Sequence, residues 1–312
     1  MQAFYADHFV LPLPAGHRFP MAKYALLRQR LAAESPDIAM QEALPVERIA
    51  LARVHTARYI DAVLDGQLSA FEQREIGFPW SPAMAQRALR SVGATVQAAR
   101  VALDGAGVAA NLAGGTHHAY PDKGSGFCVF NDVAVTTLQM QAEWPTRRPG
   151  APALRVAIVD LDVHQGDGTA FILGEAPSVF TLSLHGAKNF PVRKQRSHCD
   201  IELPDGCQDG AYLQALEQGL QCLEEALQAD LLIYLAGADA HEGDRLGRLA
   251  LTDAGMLARD RRVFEWAWQR RVPVVMAMAG GYGRDLESTL RVQVNSYRVA
   301  CEYWARWRQL RY

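Results

Sequence analysis

Arg155-Val-Ala-Ile-Val-Asp-Leu-Asp-Val-His-Gln-Gly-Asp-Gly168 is the stretch that decides the fold of this chain. Val156 to Val159 is a run of small and β-branched apolar residues without polar alternation, the pattern of a strand covered on both faces. Asp160, Asp162, His164 and Asp167 follow within eight positions. Carboxylates are rarely buried without a partner, so three of them beside an imidazole at a strand end point to a bound cation or a hydrogen-bonded catalytic group.

The same rhythm recurs on either side. Val108 to Leu112 reads as a strand running into Ala113-Gly-Gly-Thr-His-His-Ala119, and Val179 to Leu184 as one ending at His185. Leu231 to Ala236 ends in Gly237-Ala-Asp239, and Val272 to Met278 in Gly280-Gly-Tyr282-Gly. Helical spacing covers Met21 to Glu34 and roughly Thr56 to Leu64. Ser81-Pro82 starts another helix, one begins near Asp132 and ends before Trp144 to Pro152, and Thr252 caps a further one. Strands alternating with amphipathic helices predict a single-domain α/β three-layer sandwich over residues 1–312, with a central, mostly parallel sheet. Parallel strands gather their polar ends on one edge, where open α/β sheets bind ligands.

Bulk composition narrows the function classes. The chain has 312 residues, 49% hydrophobic and 21% charged, enough for a large core. A formal charge of -2 gives no electrostatic reason to expect nucleic acid or an anionic membrane as partner. The densest basic patch, Arg193-Lys-Gln-Arg196, reads as a solvated loop rather than a binding site, and His8 and His17 as surface or hydrogen-bonded loop histidines rather than ligands. Five cysteines without a CxxC pair suit a reduced, cytoplasmic protein. No apolar run reaches the ~18 residues of a membrane span, and the N-terminus has no signal-peptide pattern.

The strand ends carry the chemistry. Asp162 and His164 offer an oxygen and a nitrogen, and Asp239 adds an oxygen from another strand end. Three protein ligands with an open position is the arrangement of a catalytic zinc. His117 and His118 are adjacent, so their side chains diverge and each needs its own partner; Asp160 and Asp167 are available. An imidazole oriented by a carboxylate suits general acid/base work. Tyr282, on a double-glycine turn, can bring its hydroxyl to a substrate oxyanion.

Gly114-Gly-Thr-His-His-Ala119, Gly126-Phe-Cys-Val-Phe-Asn-Asp132, Asp160-Leu-Asp-Val-His-Gln-Gly-Asp-Gly168, Gly237-Ala-Asp239 and Gly280-Gly-Tyr282 resemble the ordered motifs of the histone deacetylase family, with its arginase-like fold. Gly16-His-Arg-Phe-Pro-Met21 and the short chain are similar to bacterial relatives of the class IV deacetylases. The resemblance implies one Zn²⁺ per chain held by Asp162, His164 and Asp239, with Fe²⁺ as the cellular alternative. It pairs His117 with Asp160 and His118 with Asp167, makes His118 the proton carrier and His117 mainly electrostatic, and has Tyr282 donate to the oxyanion. It also implies a structural K⁺ near Asp160, Asp162, His164, Ser183 and Leu184. Phe127 matches one wall of the acyl-lysine tunnel, Phe190 is assigned to the other, and Gln165 stands where many relatives have a second histidine.

The expected activity is removal of acyl groups from acyl-lysine in proteins or peptides, with long acyl chains included by the class IV resemblance. The alternatives are an acetylpolyamine or other acylated small-amine hydrolase of the same fold, and a catalytically silent acyl-lysine binding module. An arginase-like dinuclear manganese site needs more ligands than these motifs supply.

Overall fold

The computed structural model describes residues 1–310. At its centre is one eight-stranded sheet, made of β1 (Gln2–Tyr5), β2 (Ala39–Glu42), β3 (Val108–Asn111), β4 (Val156–Asp160), β5 (Val179–Gly186), β6 (Cys199–Leu203), β7 (Leu231–Leu235) and β8 (Val274–Ala277). The strand order is β2-β1-β3-β8-β7-β4-β5-β6, and every pairing is parallel. In β4, Asp160 is opposite Leu235 of β7 on one side and Ser183 of β5 on the other.

Helices cover both faces. They are α1 (Lys23–Glu34), α2 (Arg48–Leu51), α3 (Ala57–Leu64), α4 (Ala70–Ile76), α5 (Pro82–Val101), α6 (Asp132–Arg147), α7 (Asp167–Leu173), α8 (Asp209–Ala226), α9 (Asp253–Gln269) and α10 (Leu286–Gln309). Side chains of β4 alternate between two cores. Ala157 and Val159 join Leu216 and Leu220 of α8 and Val263 of α9. Val156 and Ile158 join Val92 and Val96 of α5 and Val133 of α6. Both faces of the strand are apolar because both are buried, and each such Val or Ile contributes about 1.5–3 kcal/mol by burial.

Local signals place the helix starts. Ser81 Oγ accepts from the Met84 N–H at 3.1 Å with Pro82 in the first turn, and Thr252 Oγ1 accepts from the Gly255 N–H at 3.1 Å. Thr56 is the cap of α3 rather than its first residue, accepting from the Tyr59 N–H at 3.3 Å. Two features depart from expectation. The edge strands β2 and β6 carry polar, partly exposed residues, so they lack the apolar run that marks the inner strands. Helix α6 continues through Pro145 to Arg147, whose guanidinium pairs with Glu143 at 2.9 Å and Asp104 at 2.6 Å across its last turn. Among the described residues no helix is long and apolar enough to cross a membrane.

Strands β3, β8, β7 and β4 are consecutive in the sheet and end on the same edge. Their following loops carry His117 and His118, Gly280 to Tyr282, Asp239, and Asp162 with His164, respectively.

Candidate active site

Asp162 and His164 follow β4, and Asp239 lies in the 3₁₀ turn Ala238–Ala240 after the neighbouring β7. All three are buried, with one donor atom from each within 4.8 Å of the others. Backbone amides hold the outer oxygens: the Gly280 N–H donates to Asp162 Oδ2 at 2.7 Å and the Val163 N–H to Asp239 Oδ1 at 2.9 Å. Asp162 Oδ1, His164 Nδ1 and Asp239 Oδ2 then face one point, with Nδ1 2.9 Å from the first oxygen and 3.3 Å from the second. Asp239 Oδ2 is buried without a hydrogen-bond partner among the described residues. Burial and the adjacent Asp162 push the Asp239 carboxyl up to about 7. Burial opposes charge on His164, yet Asp162 and Asp239 raise it to about 10. Such crowded buried carboxylates are suited to holding a cation. Two oxygens, one nitrogen and an open side fit zinc.

The two histidines turn to separate carboxylates. His117 Nδ1 is 2.6 Å from Asp160 Oδ2, and His118 Nδ1 is 2.6 Å from Asp167 Oδ1. Both carboxylates are themselves anchored: the Asp162 N–H donates to Asp160 Oδ1 at 3.1 Å and the Tyr120 hydroxyl to Asp167 Oδ2 at 3.0 Å. The pairs differ electrically. Burial disfavours charge on His117, but Asp160 and Asp162 overcome it and raise its pKa to about 9. Burial and the neighbouring His117 pull His118 down to about 4 despite Asp167. Burial and local charge thus act in opposite directions on the two rings, favouring a proton on His117 and disfavouring one on His118.

A cavity of about 860 Å³ leads to these groups, lined by Phe127, Phe190, His117, His118, Asp162 and Tyr282, among others. Phe127 has φ 67° and is held there by its N–H bond to the Ile76 carbonyl at 2.7 Å. Its ring lies 5.4 Å from Phe78, 5.3 Å from Phe19 and 5.9 Å from Tyr282. Phe190 stands edge-on to His118, centroids 4.9 Å apart. Burial raises the Tyr282 phenol well above its usual pKa, so it remains a donor.

Two loop readings gain detail. His17 is a hydrogen-bonded loop histidine: its Nε2 lies 3.0 Å from the Gly77 carbonyl, its Nδ1 accepts from the Phe19 N–H, and its ring is 5.9 Å from Phe127. The basic segment Arg193 to Arg196 is a loop with Arg193 and Arg196 exposed, and it is tied down at Lys194 and Gln195. Lys194 Nζ folds back onto the Asn189 and Pro191 carbonyls at 2.7 and 2.6 Å, and Arg193 lines the cavity. Gln165 ties this loop to the end of β4, its Nε2 donating to the Gln195 carbonyl and its Oε1 accepting from the Gln195 N–H at 2.8 Å.

Supporting residues escaped the sequence reading. Asp132 accepts from Thr95 Oγ1, the Gly115 and Thr116 N–H groups and Thr116 Oγ1 at 2.6–3.0 Å, fixing the turn before His117. Asp244 accepts from the Tyr282 N–H at 2.6 Å, and Arg259 donates to the Gly237 carbonyl at 2.6 Å. Lys23 Nζ, almost wholly buried, donates to the Gly281 carbonyl at 3.2 Å and sits 5.1 Å from the Tyr282 ring centroid. Asp132 belongs to a quoted motif, whereas Asp244, Arg259 and Lys23 have no local pattern to mark them.

His55 is another such residue. Its Nδ1 lies 3.0 Å from the Tyr120 carbonyl and its Nε2 accepts from the Asn131 N–H at 3.0 Å, which requires the neutral ring with its proton on Nδ1. Burial lowers its pKa to about 4, against about 6.5 when unfolded. The unfolded chain thus binds the extra proton between these values. Stability from this group is full above pH 6.5 and falls by up to about 3 kcal/mol as pH drops to 4. The gap in unfolding free energy between wild type and His55→Gln should therefore narrow from pH 7 to pH 4 in urea titrations; a constant gap would contradict this assignment.

A histone deacetylase domain model matches residues 17–296. An uncharacterized protein of Picosynechococcus sp. is 45% identical over 285 residues, covering 90% of this chain and 92% of that protein. Histone deacetylase 2 of Arabidopsis thaliana is 30% identical over 295 residues, covering 90% and 72%. Among solved structures, the HDA15 HD domain superposes with TM-score 0.81 at 24% identity, covering 96% of this chain and 91% of that one. An acetylpolyamine aminohydrolase from Burkholderia pseudomallei superposes with TM-score 0.74 at 22% identity, covering 96% and 98%. At those identities the structural matches speak for the fold, while the match over residues 17–296 and the Arabidopsis relative carry the assignment: the chain belongs to the histone deacetylase domain family.

Proposed function

We propose that this chain is a single-domain, zinc-dependent amide hydrolase that removes acyl groups from lysine side chains in peptides or proteins. The observation that carries the reading is the His118–Asp167 pair beside three convergent donor atoms in an aromatic-walled cavity. Asp162, His164 and Asp239 would hold the zinc, which supplies Lewis acidity toward an amide carbonyl and a water molecule. His118 takes a proton from the attacking water as the carbon–oxygen bond forms. Tyr282 donates its hydroxyl proton in a hydrogen bond to the carbonyl oxygen as it becomes an oxyanion. His118 then returns the proton to the lysine nitrogen as the carbon–nitrogen bond breaks, releasing a carboxylate and a free amine. Protonated His117, balanced by Asp160, stabilises the negative charge that develops nearby. Phe127 and Phe190 grip the apolar lysine stem, and Ser183, on β5 beside Asp160, belongs to the K⁺ site proposed behind the donors.

One cluster of three metal donors among the described residues favours one ion per chain over a dinuclear site. Leu11, Met84 and Ser91 also line the cavity, so acyl groups longer than acetyl belong in the test. Zinc-loaded protein should hydrolyse acyl-lysine peptides in a screen of graded acyl length that includes acetylpolyamines. Turnover of acetylpolyamines alone would replace the reading with small-amine hydrolysis, and peptide binding without turnover would leave a binding module.

A further inference from the structure

The charge around the cavity is lopsided. Exposed side chains lining it include six cations, Arg18, Arg74, Lys123, Lys188, Arg193 and Arg248, and one carboxylate, Glu75. The chain as a whole is slightly acidic, at a formal -2, so the cations are concentrated locally. Outside the lining, Asp205 offsets two of them, 3.0 Å from Arg248 and 3.9 Å from Lys188. Arg18, Arg74, Lys123 and Arg193 have no ion-pair partner among the described residues. Elsewhere on the surface such cations are often paired, as Arg48 is with Asp61 and Arg58 with Glu72.

The ring is also built rather than incidental. Lys194 spends its ammonium on the Asn189 and Pro191 carbonyls, which closes the loop on which Arg193 stands. Gln165 and Gln195 exchange two hydrogen bonds, tying that loop to the strand end that supplies Asp162 and His164. Ser197 adds a bond from its N–H to Asp200 Oδ2 at 2.7 Å. Arg74 comes from the last turn of α4, whose next residues accept the Gly126 and Phe127 amides. The cations are thus carried by the same elements that form the aromatic tunnel.

We propose that the cavity mouth selects acyl-lysine lying in an acidic peptide segment, with Asp or Glu beside the modified lysine. This deepens the reading of the chain as a lysine deacylase and rests on it. Exposed cations lining the cavity attract flanking carboxylates while the acyl-lysine enters. They repel the free ammonium groups of an acylpolyamine and the arginines and lysines of a basic tail. The flanking charges act within the Debye length, about 8 Å at physiological salt.

The test uses three peptides with one acyl-lysine each, flanked by Glu, Ser or Lys, together with an acetylpolyamine, on the zinc-loaded full chain. The Glu-flanked peptide should exceed the Lys-flanked one by about tenfold or more in kcat/KM at low salt, chiefly through KM. That ratio should shrink toward one near 0.5 M salt, on the order of a 4 Å Debye length. Arg74→Glu with Arg193→Glu should invert the preference, while Arg298→Glu on α10 leaves it in place. Equal kcat/KM across the peptides, or a faster acetylpolyamine, overturns the proposal. Calorimetric binding of the same peptides to Tyr282→Phe protein separates the two levels. If no peptide is hydrolysed but the Glu-flanked one still binds tighter, the charge selection stands and the deacylase reading falls; equal binding overturns the charge selection itself.

Discussion

Tyr282→Phe should lower kcat on an acyl-lysine peptide by about 10²–10³ while zinc content stays near that of wild type, because a preorganised oxyanion donor contributes about that much. The ring would keep its place. Tyr282 is fixed through its backbone N–H to Asp244 and by its neighbours Phe127 and Lys23, none of which depends on the hydroxyl. Asp162→Ala should be equally inactive for a different reason, losing zinc along with turnover. Metal analysis beside kinetics distinguishes the two variants, and a Tyr282→Phe enzyme within a fewfold of wild type would remove the phenol from the mechanism.

Gly280→Ala should damage the candidate metal site through a single added methyl group. A Cβ there would clash with Asp239 Oδ2 and stand 2.6 Å from Asp162 Oδ2, while the Gly280 N–H holds that same Asp162 oxygen. Two of the three proposed metal donors would have to move. Zinc affinity should drop by about 10–100-fold or more, with activity following, since displaced supporting groups cost metal sites at least that much. The overall fold should survive, judged by circular dichroism. Gly210→Ala is the matched control, because a Cβ at that position meets nothing within 4 Å. Stoichiometric zinc in Gly280→Ala protein would show that the donors are less constrained than their hydrogen bonds indicate.

The inner strands were legible because burial on both faces forces an uninterrupted apolar run, as in Val156 to Val159. Edge strands β2 and β6 face water and lose that run, so their sequences look like loops. Caps such as Ser81 and Thr252 were readable because their bonds span three residues. The place of the Arg193–Arg196 loop beside the cavity was not legible, for the opposite reason. Its local chemistry is that of a solvated charge run, and only bonds to Gln165, Asn189 and Pro191 turn it toward the cavity.

The sequence by itself determined a parallel α/β architecture and an inventory of donors at the strand ends, because periodicity and clustered polar residues are properties of neighbouring positions. Tertiary structure decided how that inventory is divided. It placed His117 against Asp160 and His118 against Asp167, and its dry interior set their proton affinities apart. It also brought six cations from five separated segments to one opening. Charge interactions act through space between residues distant in the chain, so neither the separation of the two histidines nor the positive mouth exists until the sheet gathers these loops on one edge.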